Sequence, residues 1–214
     1  MTRFIITRHG QSIANLNFVF AGQSNFDLTE QGKAQAEKLA EWVVENYKID
    51  KIYSSDLNRA YQTALPIAEA LGLEITRDEA LREINAGKWE SQPYELIKKE
   101  YAADYGVWLN NVGCARCTDG ESVKELSERV MKRILELGEA EAGKTVLIST
   151  HATPIRALQT LCETGDIKNA KDVAWVANAS VSVCEYDKGT LKFTLCGYNE
   201  YLEDLKSKFP SGVV

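Results

Sequence analysis

The sequence has little of what marks a membrane-spanning, secreted or disulfide-stabilised protein. Its 214 residues include only four prolines and five cysteines, and the cysteines are scattered and odd in number. No apolar run approaches the roughly 20 residues that cross a bilayer, and the N-terminal segment lacks the apolar region of a signal peptide. Unpaired, scattered cysteines are typical of a reducing compartment, so we expect a cytoplasmic protein.

Basic residues are also in the minority. Lys and Arg total 25 against 31 Asp and Glu, which gives a formal net charge of −6 at pH 7. A general nucleic-acid binder needs a broad basic surface, so we expect neither a nucleic-acid partner nor a membrane partner. A small, local cluster of arginines around an anionic substrate remains compatible with this balance.

Apolar segments of strand length alternate with helical patterns along the chain. Strands are predicted at 3–7, 50–53 and 145–149, and a hairpin at 180–186 and 190–196. Helices are predicted at 30–47, 57–71 and 122–138, and from an N-cap at Thr153, with Pro154 as the first helical residue, to about 163. This order predicts one domain over 1–214 with a three-layer α/β/α fold, a mostly parallel central sheet and helices on both faces. Residues 199–208 are expected to be a terminal helix or a loose end.

The segment from about 84 to 120 departs from this alternation. It is rich in aromatic and polar residues, and it predicts a helix near Pro93 followed by an irregular loop to Gly120. We expect a lid-like insertion that covers the substrate. Its aromatic residues either line the pocket or pack against the rest of the domain: Trp89, Tyr94, Tyr101 and Trp108. Four cations either meet a second anionic group or are solvated surface: Lys88, Lys98, Lys99 and Arg116.

The chain has only two histidines, and each follows a predicted buried strand. His9 and His151 therefore belong at the carboxyl edge of the sheet, where open α/β folds bind ligands. Histidine is well suited to proton transfer or nucleophilic attack near neutral pH. Arg8 beside one histidine, and Arg59 one turn into a following helix, offer guanidinium groups that match phosphate oxygens.

Five ordered blocks resemble the signatures of the histidine phosphatase superfamily, the phosphoglycerate mutase-like group. They are TRHGQS at 7–12 with Asn15, GQSNFDLTEQG at 22–32, SSDLNRAYQTA at 54–64, LREINAGKWE at 81–90, and Gly120-Glu121-Ser122 with the strand that leads to His151. The resemblance extends over nearly the whole chain. It is more specific than any single motif because the blocks occur in the family's order.

The resemblance implies a role for each matching residue. His9 would be the nucleophile that forms a phosphohistidine, and Glu83 would give a proton to the leaving alcohol and then act as base for water. Arg8, Arg59 and His151 would surround the phosphoryl oxygens. Substrate-binding positions near the phosphate would be Asn15, Gly22, Gln23 and Ala152. No cofactor is implied. Cys114 and Cys117 have the spacing of half a zinc site, but no second pair accompanies them, so we expect no metal.

The superfamily contains phosphatases and mutases, and the sequence favours a phosphatase. The glycolytic mutases of this superfamily have a longer insertion after the catalytic glutamate, with an Arg-His-Tyr-Gly stretch. Here Glu83 is followed by Ile84 and then NAGKWE at 85–90, and the chain has no third histidine. We therefore predict a metal-independent phosphomonoesterase for a small phosphorylated metabolite. One alternative is a mutase that moves phosphate between hydroxyls. Another is a non-catalytic phospho-ligand-binding protein, against which the complete set of catalytic residues argues. The oligomeric state is not predicted.

Overall fold

Residues 1–207 are described by a computed structural model, and the remainder of the predicted 1–214 domain lies outside them. The strands are β1 (Thr2–Arg8), β2 (Val19–Phe20), β3 (Lys51–Ser54), β4 (Ile75–Arg77), β5 (Gln92–Pro93), β6 (Thr145–Thr150), β7 (Val181–Asp187) and β8 (Thr190–Tyr198). The helices are α1 (Ile13–Leu16), α2 (Glu30–Asn46), α3 (Asn58–Leu71), α4 (Tyr94–Glu100), α5 (Ala102–Asn110), α6 (Val123–Ala140) and α7 (Ala152–Thr164).

The main sheet has six strands in the order β4-β3-β6-β1-β7-β8. The first four are mutually parallel, and β7 and β8 add an antiparallel hairpin beside β1. The prediction of a mostly parallel sheet is therefore confirmed. Strand β4 was not predicted, because it is only three residues long and too exposed to show an apolar run.

Alternate side chains of β1 face opposite layers of the molecule. Phe4 and Ile6 pack in the core beneath α6 and α7, while Ile5 packs in the core beneath α2 and α3. All three are fully buried. A central strand covered on both faces needs apolar side chains on both, which is why residues 4–6 of β1 form a continuous apolar run.

The helix boundaries follow local capping chemistry. Ser122 and Glu125 form the predicted capping box at the start of α6, and Gly72 ends α3 with φ of +64°. Helix α7 corrects the prediction, because its N-cap is His151 and its first helical residue is Ala152. Pro154 fits inside this first turn, where a backbone N–H has no intrahelical acceptor.

The insertion contains more helix than the sequence indicated. Instead of one helix and an irregular loop, it holds α4 and α5, which are separated by a break at Tyr101. It joins the domain through the short β2–β5 pair and through Trp89, which is fully buried. The rings of Phe20, Trp89 and Trp108 meet edge to face. All four predicted aromatic residues of the insertion pack in or against the core, and two of them, Tyr94 and Trp108, also line a pocket.

The C-terminal segment ends in a short 3-10 stretch at Glu200–Leu205, and Lys208 lies outside the described residues. Over residues 1–207, no helix combines the length and apolar character needed to cross a membrane.

Candidate active site

The ends of β1 and β6 lie side by side, since Arg8 is in register with Thr150. His9 and His151 follow directly, and Arg59 reaches the same edge from the first turn of α3. Here a pocket of about 50 Å³ is lined by Arg8, His9, Asn15, Val19, Phe20, Ala21, Gly22, Arg59, Glu83, Tyr94, Trp108, Ala152, Thr153 and Trp175. The predicted edge of the sheet is thus where these side chains gather.

The tautomer of His9 is fixed by its two ring contacts. Nδ1 lies 2.7 Å from the carbonyl oxygen of Gly10, which can only accept, so Nδ1 carries the hydrogen. Nε2 accepts a hydrogen bond from Nε of Arg59 at 3.3 Å, so it carries the lone pair. Burial lowers the pKa of His9 well below its usual value, and the charges of Arg59 and Arg8 lower it further. The ring is therefore neutral near pH 7 and presents an unprotonated nitrogen.

Arg59 is fully buried and holds the pocket wall. Its Nη1 donates to the carbonyl of Ser24 at 2.8 Å, and its Nη2 donates to the carbonyl of Gly22 at 2.7 Å. Burial lowers its pKa to about 10, so the guanidinium stays charged at neutral pH. One side chain therefore supplies positive charge beside His9 and fixes the 22–24 turn.

His151 lies behind His9, with ring centroids 5.2 Å apart, and is fully buried. Its Nε2 hydrogen-bonds to Oγ of Ser55 at 2.9 Å, while its buried Nδ1 has no hydrogen-bond partner within residues 1–207. Burial lowers the pKa of His151 well below its usual value, and Arg59 and His9 add to this. A buried polar atom without a partner is costly, and a ligand oxygen would satisfy it.

Glu83 faces the start of α7 and the charge of Arg8. Its Oε2 accepts from the backbone N–H of Thr153 at 3.3 Å, and its Oε1 accepts from the N–H of Ile84 at 2.9 Å. Arg8 donates through Nη1 to the carbonyl of Val176 at 2.6 Å. Burial lowers the pKa of Arg8, and the nearby Glu83 charge opposes that shift. A carboxyl group and a guanidinium thus share one wall of the pocket.

The predicted substrate-binding residues divide into two groups. Asn15, Gly22 and Ala152 line the pocket, whereas Gln23 does not. The three hydrogen bonds of the Asn15 side chain all reach its Oδ1, which leaves its NH2 group to donate into the pocket. Gln23 instead donates through Nε2 to the backbone carbonyl of Glu83 at 3.1 Å. The geometry makes Gln23 a positioning contact for Glu83.

Comparison with known proteins identifies the family of the chain. Residues 4–199 match the sequence profile of the histidine phosphatase superfamily (branch 1). The chain belongs to this superfamily. Phosphoserine phosphatase 1 of Hydrogenobacter thermophilus is 34% identical over 158 residues, which are 74% of this chain and 74% of that protein.

Two further proteins are similar to this chain, one in sequence and one in structure. A probable phosphoglycerate mutase GpmB of Yersinia enterocolitica is also 34% identical, over 74% of this chain and 73% of its own. The solved structure of YhfR from Bacillus stearothermophilus superposes with a TM-score of 0.90 and 25% identity, covering 95% of this chain and 100% of that one. The chain is therefore an enzyme of this superfamily, and its phosphatase relatives support a hydrolase.

Sequence reasoning missed Asn178, which contacts two residues of this histidine phosphatase site, His9 and Asn15. Its Nδ2 donates to the backbone carbonyl of His9 at 3.0 Å and lies 3.2 Å from Oδ1 of Asn15. Asn178 is fully buried and precedes β7 by three residues. Because β7 runs antiparallel to β1, its start meets the end of β1 at the pocket. The signal in the sequence is the polar segment just before a strand, whereas the predicted site residues follow the ends of strands.

Glu90 is a second residue to which no role was assigned. Its Oε1 accepts from the backbone N–H groups of Gln23 and Ala86, each at 2.8 Å. Its Oε2 accepts from both the backbone N–H and the hydroxyl of Ser24, at 2.8 and 2.6 Å. One carboxylate thus joins the 22–24 turn, which Arg59 also holds, to the start of the insertion.

The pocket lining does not include the four cations that were expected either to meet a second anionic group or to be solvated surface. The second interpretation therefore applies to them. Three of them pair with acidic neighbours, namely Lys88 with Asp119, Lys99 with Glu100 and Arg116 with Glu125, and Lys98 is exposed. Cys114 is exposed, whereas Cys117 is fully buried, and burial raises the pKa of the Cys117 thiol. Within residues 1–207, no group of three or more side chains is arranged to hold a metal ion.

Proposed function

We propose that this histidine phosphatase is a metal-independent phosphomonoesterase that hydrolyses a small phosphorylated metabolite through a phosphohistidine at Nε2 of His9. The observation that carries the proposal is the state of His9. Its Nδ1–H is fixed on Gly10, so the lone pair on Nε2 faces the charges of Arg8 and Arg59. Buried cations aimed at a developing phosphoryl charge supply much of the catalysis in such reactions.

In the first step, Nε2 of His9 gives up its hydrogen bond from Nε of Arg59, and its lone pair attacks phosphorus. The bond from phosphorus to the ester oxygen breaks, and its electron pair goes to the leaving alkoxide. A proton from the carboxyl group of Glu83 converts that alkoxide to the free alcohol. Arg59 and Arg8 stabilise the equatorial oxygens, and the unpartnered Nδ1 of His151 is available to one of them.

In the second step, water attacks the phosphorus of the phosphohistidine. The Glu83 carboxylate takes a proton from that water, and the P–N bond returns its electron pair to Nε2 of His9. The products are inorganic phosphate and the original enzyme. Gln23 and the N–H of Thr153 hold Glu83 in place through both steps.

Support for a small substrate comes from the shape of the pocket and from one relative. The pocket is narrow and has Phe20, Tyr94 and Trp108 in its walls, and the name of the 34% identical relative specifies phosphoserine. A cytoplasmic location and the absence of nucleic-acid and membrane partners stay predictions from the sequence.

The second candidate is a mutase, which the relative named as a probable phosphoglycerate mutase favours. In that reaction a substrate hydroxyl, rather than water, would take the phosphoryl group from His9. The two candidates differ in product, so a product analysis separates them.

The test measures phosphate release from a panel of phosphorylated metabolites, with EDTA present throughout. The 3-phosphoglycerate reaction is also analysed for 2-phosphoglycerate, with and without a bisphosphoglycerate primer. We expect free phosphate from some substrates and no isomer. Isomer without phosphate would establish the mutase, and activity that requires added Zn²⁺ would refute the metal-independent mechanism.

The covalent intermediate is tested by rapid quenching with a ³²P-labelled substrate. An acid-labile, base-stable phosphoenzyme should accumulate in the wild type and be absent in His9→Ala. The exposed Asn169→Ala serves as the matched control and should behave as the wild type. If His9→Ala retains most of the wild-type turnover, His9 is not the nucleophile.

A further inference from the structure

Arg156, on α7, is a buried guanidinium without an acidic partner. The residue is only 7% exposed, and no carboxylate of residues 1–207 lies within ion-pair distance of it. Its Nε donates to the carbonyl of Ala170 at 2.8 Å, and its Nη2 shares that acceptor. Nη1 has no acceptor among the described residues. Nη1 is not among the side-chain atoms cut off from solvent, so a largely buried guanidinium presents a donor to the cavity that it lines. Such a group is suited to bind an anion.

The ring of Trp175 gives Arg156 partial compensation. The guanidinium carbon lies 4.2 Å from the centre of that ring, and the ring in turn stacks on Trp108 at 6.1 Å. A cation over an aromatic face gains some electrostatic energy but no hydrogen bond. Burial lowers the pKa of Arg156 to about 10, and no acidic neighbour opposes the shift. The side chain is therefore charged at neutral pH and has hydrogen-bonding capacity in reserve.

Arg156 lines a second cavity, of about 210 Å³, that adjoins the catalytic pocket. Three aromatic residues, Tyr94, Trp108 and Trp175, belong to the walls of both spaces. The exposed Lys171 adds a second cation to the lining, and none of the described lining residues is acidic. The cavity is larger than the catalytic pocket, so it offers more room for the part of a substrate beyond its phosphoryl group.

Helix α7 runs along both the catalytic pocket and the second cavity. Ala152 lines the catalytic pocket and Arg156 lines the second cavity, both on α7. Residues four apart lie on one face of a helix, with a rise of about 6 Å between them. A molecule with its phosphate at His9 would therefore reach Arg156 through a second group that extends along α7 from one space into the other.

We infer that the cavity lined by Arg156, Lys171 and Trp175 is a subsite for a second anionic group, a carboxylate on the substrate's far end. This inference rests on the proposed phosphatase function of the adjoining pocket. It narrows the substrate class to phosphomonoesters of hydroxy acids in which several bonds separate the ester from the acid. Nη1 of Arg156 would donate to the carboxylate, Lys171 would add charge at the rim, and the aromatic walls would pack on the carbon chain.

The test uses straight-chain phosphomonoesters with a terminal carboxylate, lengthened one methylene at a time, each paired with its carboxamide. The readout is the ratio of kcat/KM for acid over amide, which cancels any loss of folded protein. At the matching length we expect the wild type to prefer the acid roughly ten- to hundredfold, as for a charged hydrogen bond in a buried site. Equal kcat/KM for the acid and its amide at every chain length would overturn the proposal.

Variants locate the preference. Arg156→Gln should bring the ratio close to one, Arg156→Lys should keep part of it, and Lys171→Gln should lower it less. Lys168→Gln removes the same charge from a nearby exposed position outside the cavity, so it is the matched control and should keep the wild-type ratio. If Arg156→Gln fails to fold, the Lys variant and Lys171→Gln still decide. A wild-type ratio in folded Arg156→Gln protein would refute the subsite.

Failure of the phosphatase proposal is separable from failure of the subsite. If phosphate is released neither from the metabolite panel nor from any ester of this series, the proposed function fails. Binding of the corresponding phosphonates, measured by isothermal titration calorimetry, then tests the subsite alone. Tighter binding of the acid than of the amide, lost in Arg156→Gln, supports the subsite, and equal binding of the two overturns it.

Discussion

Arg59 donates from Nε to Nε2 of His9 at 3.3 Å, while its two terminal nitrogens hold the carbonyls of Ser24 and Gly22. This contact identifies the nitrogen of His9 that carries the lone pair. It also couples the nucleophile to the 22–24 turn, because one rigid guanidinium plane makes all three bonds. The orientation of His9 therefore depends on residues more than ten positions away in sequence.

Acid should destabilise the protein through its two histidines. His9 and His151 both have pKa values well below 6.5, mainly because of burial, so below pH 6.5 the unfolded chain binds protons that the native state does not. The free energy of unfolding should fall as pH falls from about 6.5, by up to about 1.4 kcal/mol per pH unit for each histidine. Urea unfolding at a series of pH values measures this slope.

The chain contains no other histidine, so replacing these two tests whether they cause the pH dependence of the free energy of unfolding. His9→Gln and His151→Gln should each remove about half of the slope, and the double variant should remove nearly all of it above the range where carboxylates titrate. A wild-type slope in the double variant would contradict the assignment.

Glu83→Gln should affect substrates according to their leaving groups. The amide keeps the shape of the side chain but cannot give a proton, so hydrolysis of alkyl phosphates should fall by about 10²–10⁴-fold. p-Nitrophenyl phosphate should lose much less, because its leaving group needs little protonation. Steady-state kcat/KM across a leaving-group series measures the effect, with the exposed Glu74→Gln as control. A uniform loss across the series would exclude the acid role.

Asn178→Ala should lower kcat about tenfold or more with a smaller change in KM. Asn178 acts through His9 and Asn15, whose positions it holds by hydrogen bonds. Both acceptors keep another donor when Asn178 is lost, so we expect an effect on their positions rather than an unpaired buried group. Stopped-flow and steady-state kinetics separate kcat from KM, and Asn169→Ala is the matched exposed control. A drop in thermal stability with an unchanged kcat would indicate a structural role only.

Glu90→Gln should reduce both stability and activity. Its carboxylate accepts four hydrogen bonds, and an NH2 group in place of one oxygen would face N–H donors. We expect a loss of about 3 kcal/mol in the free energy of unfolding, together with a lower kcat, because Arg59 depends on the same turn. Urea unfolding checks the stability, and the exposed Glu95→Gln should leave both quantities unchanged. Full activity in folded Glu90→Gln would disconnect the turn from catalysis.

Much of the fold was predictable because local pattern and tertiary environment agree. The buried strands β1 and β6, the capping box at Ser122 and the stop at Gly72 all appear where the sequence places them. The insertion was less predictable. Its second helix, α5, is stabilised by ring contacts of Trp108 with Phe20 and Trp89, which are distant in sequence. Periodicity within a segment contains no information about such partners.

Residue types and their order along the chain are enough to derive the alternation of strands and helices, the family and the set of chemically competent residues. Which atoms meet depends on how the layers pack. In the folded protein, Asn178 donates a hydrogen bond to the carbonyl of His9, and Glu90 accepts hydrogen bonds from the 22–24 turn. Arg156 lies largely buried in the wall of a second cavity. Those contacts join residues on separate helices, strands and loops. Which side chains are buried, and which hydrogen-bond partners they find, is settled only when those elements pack together.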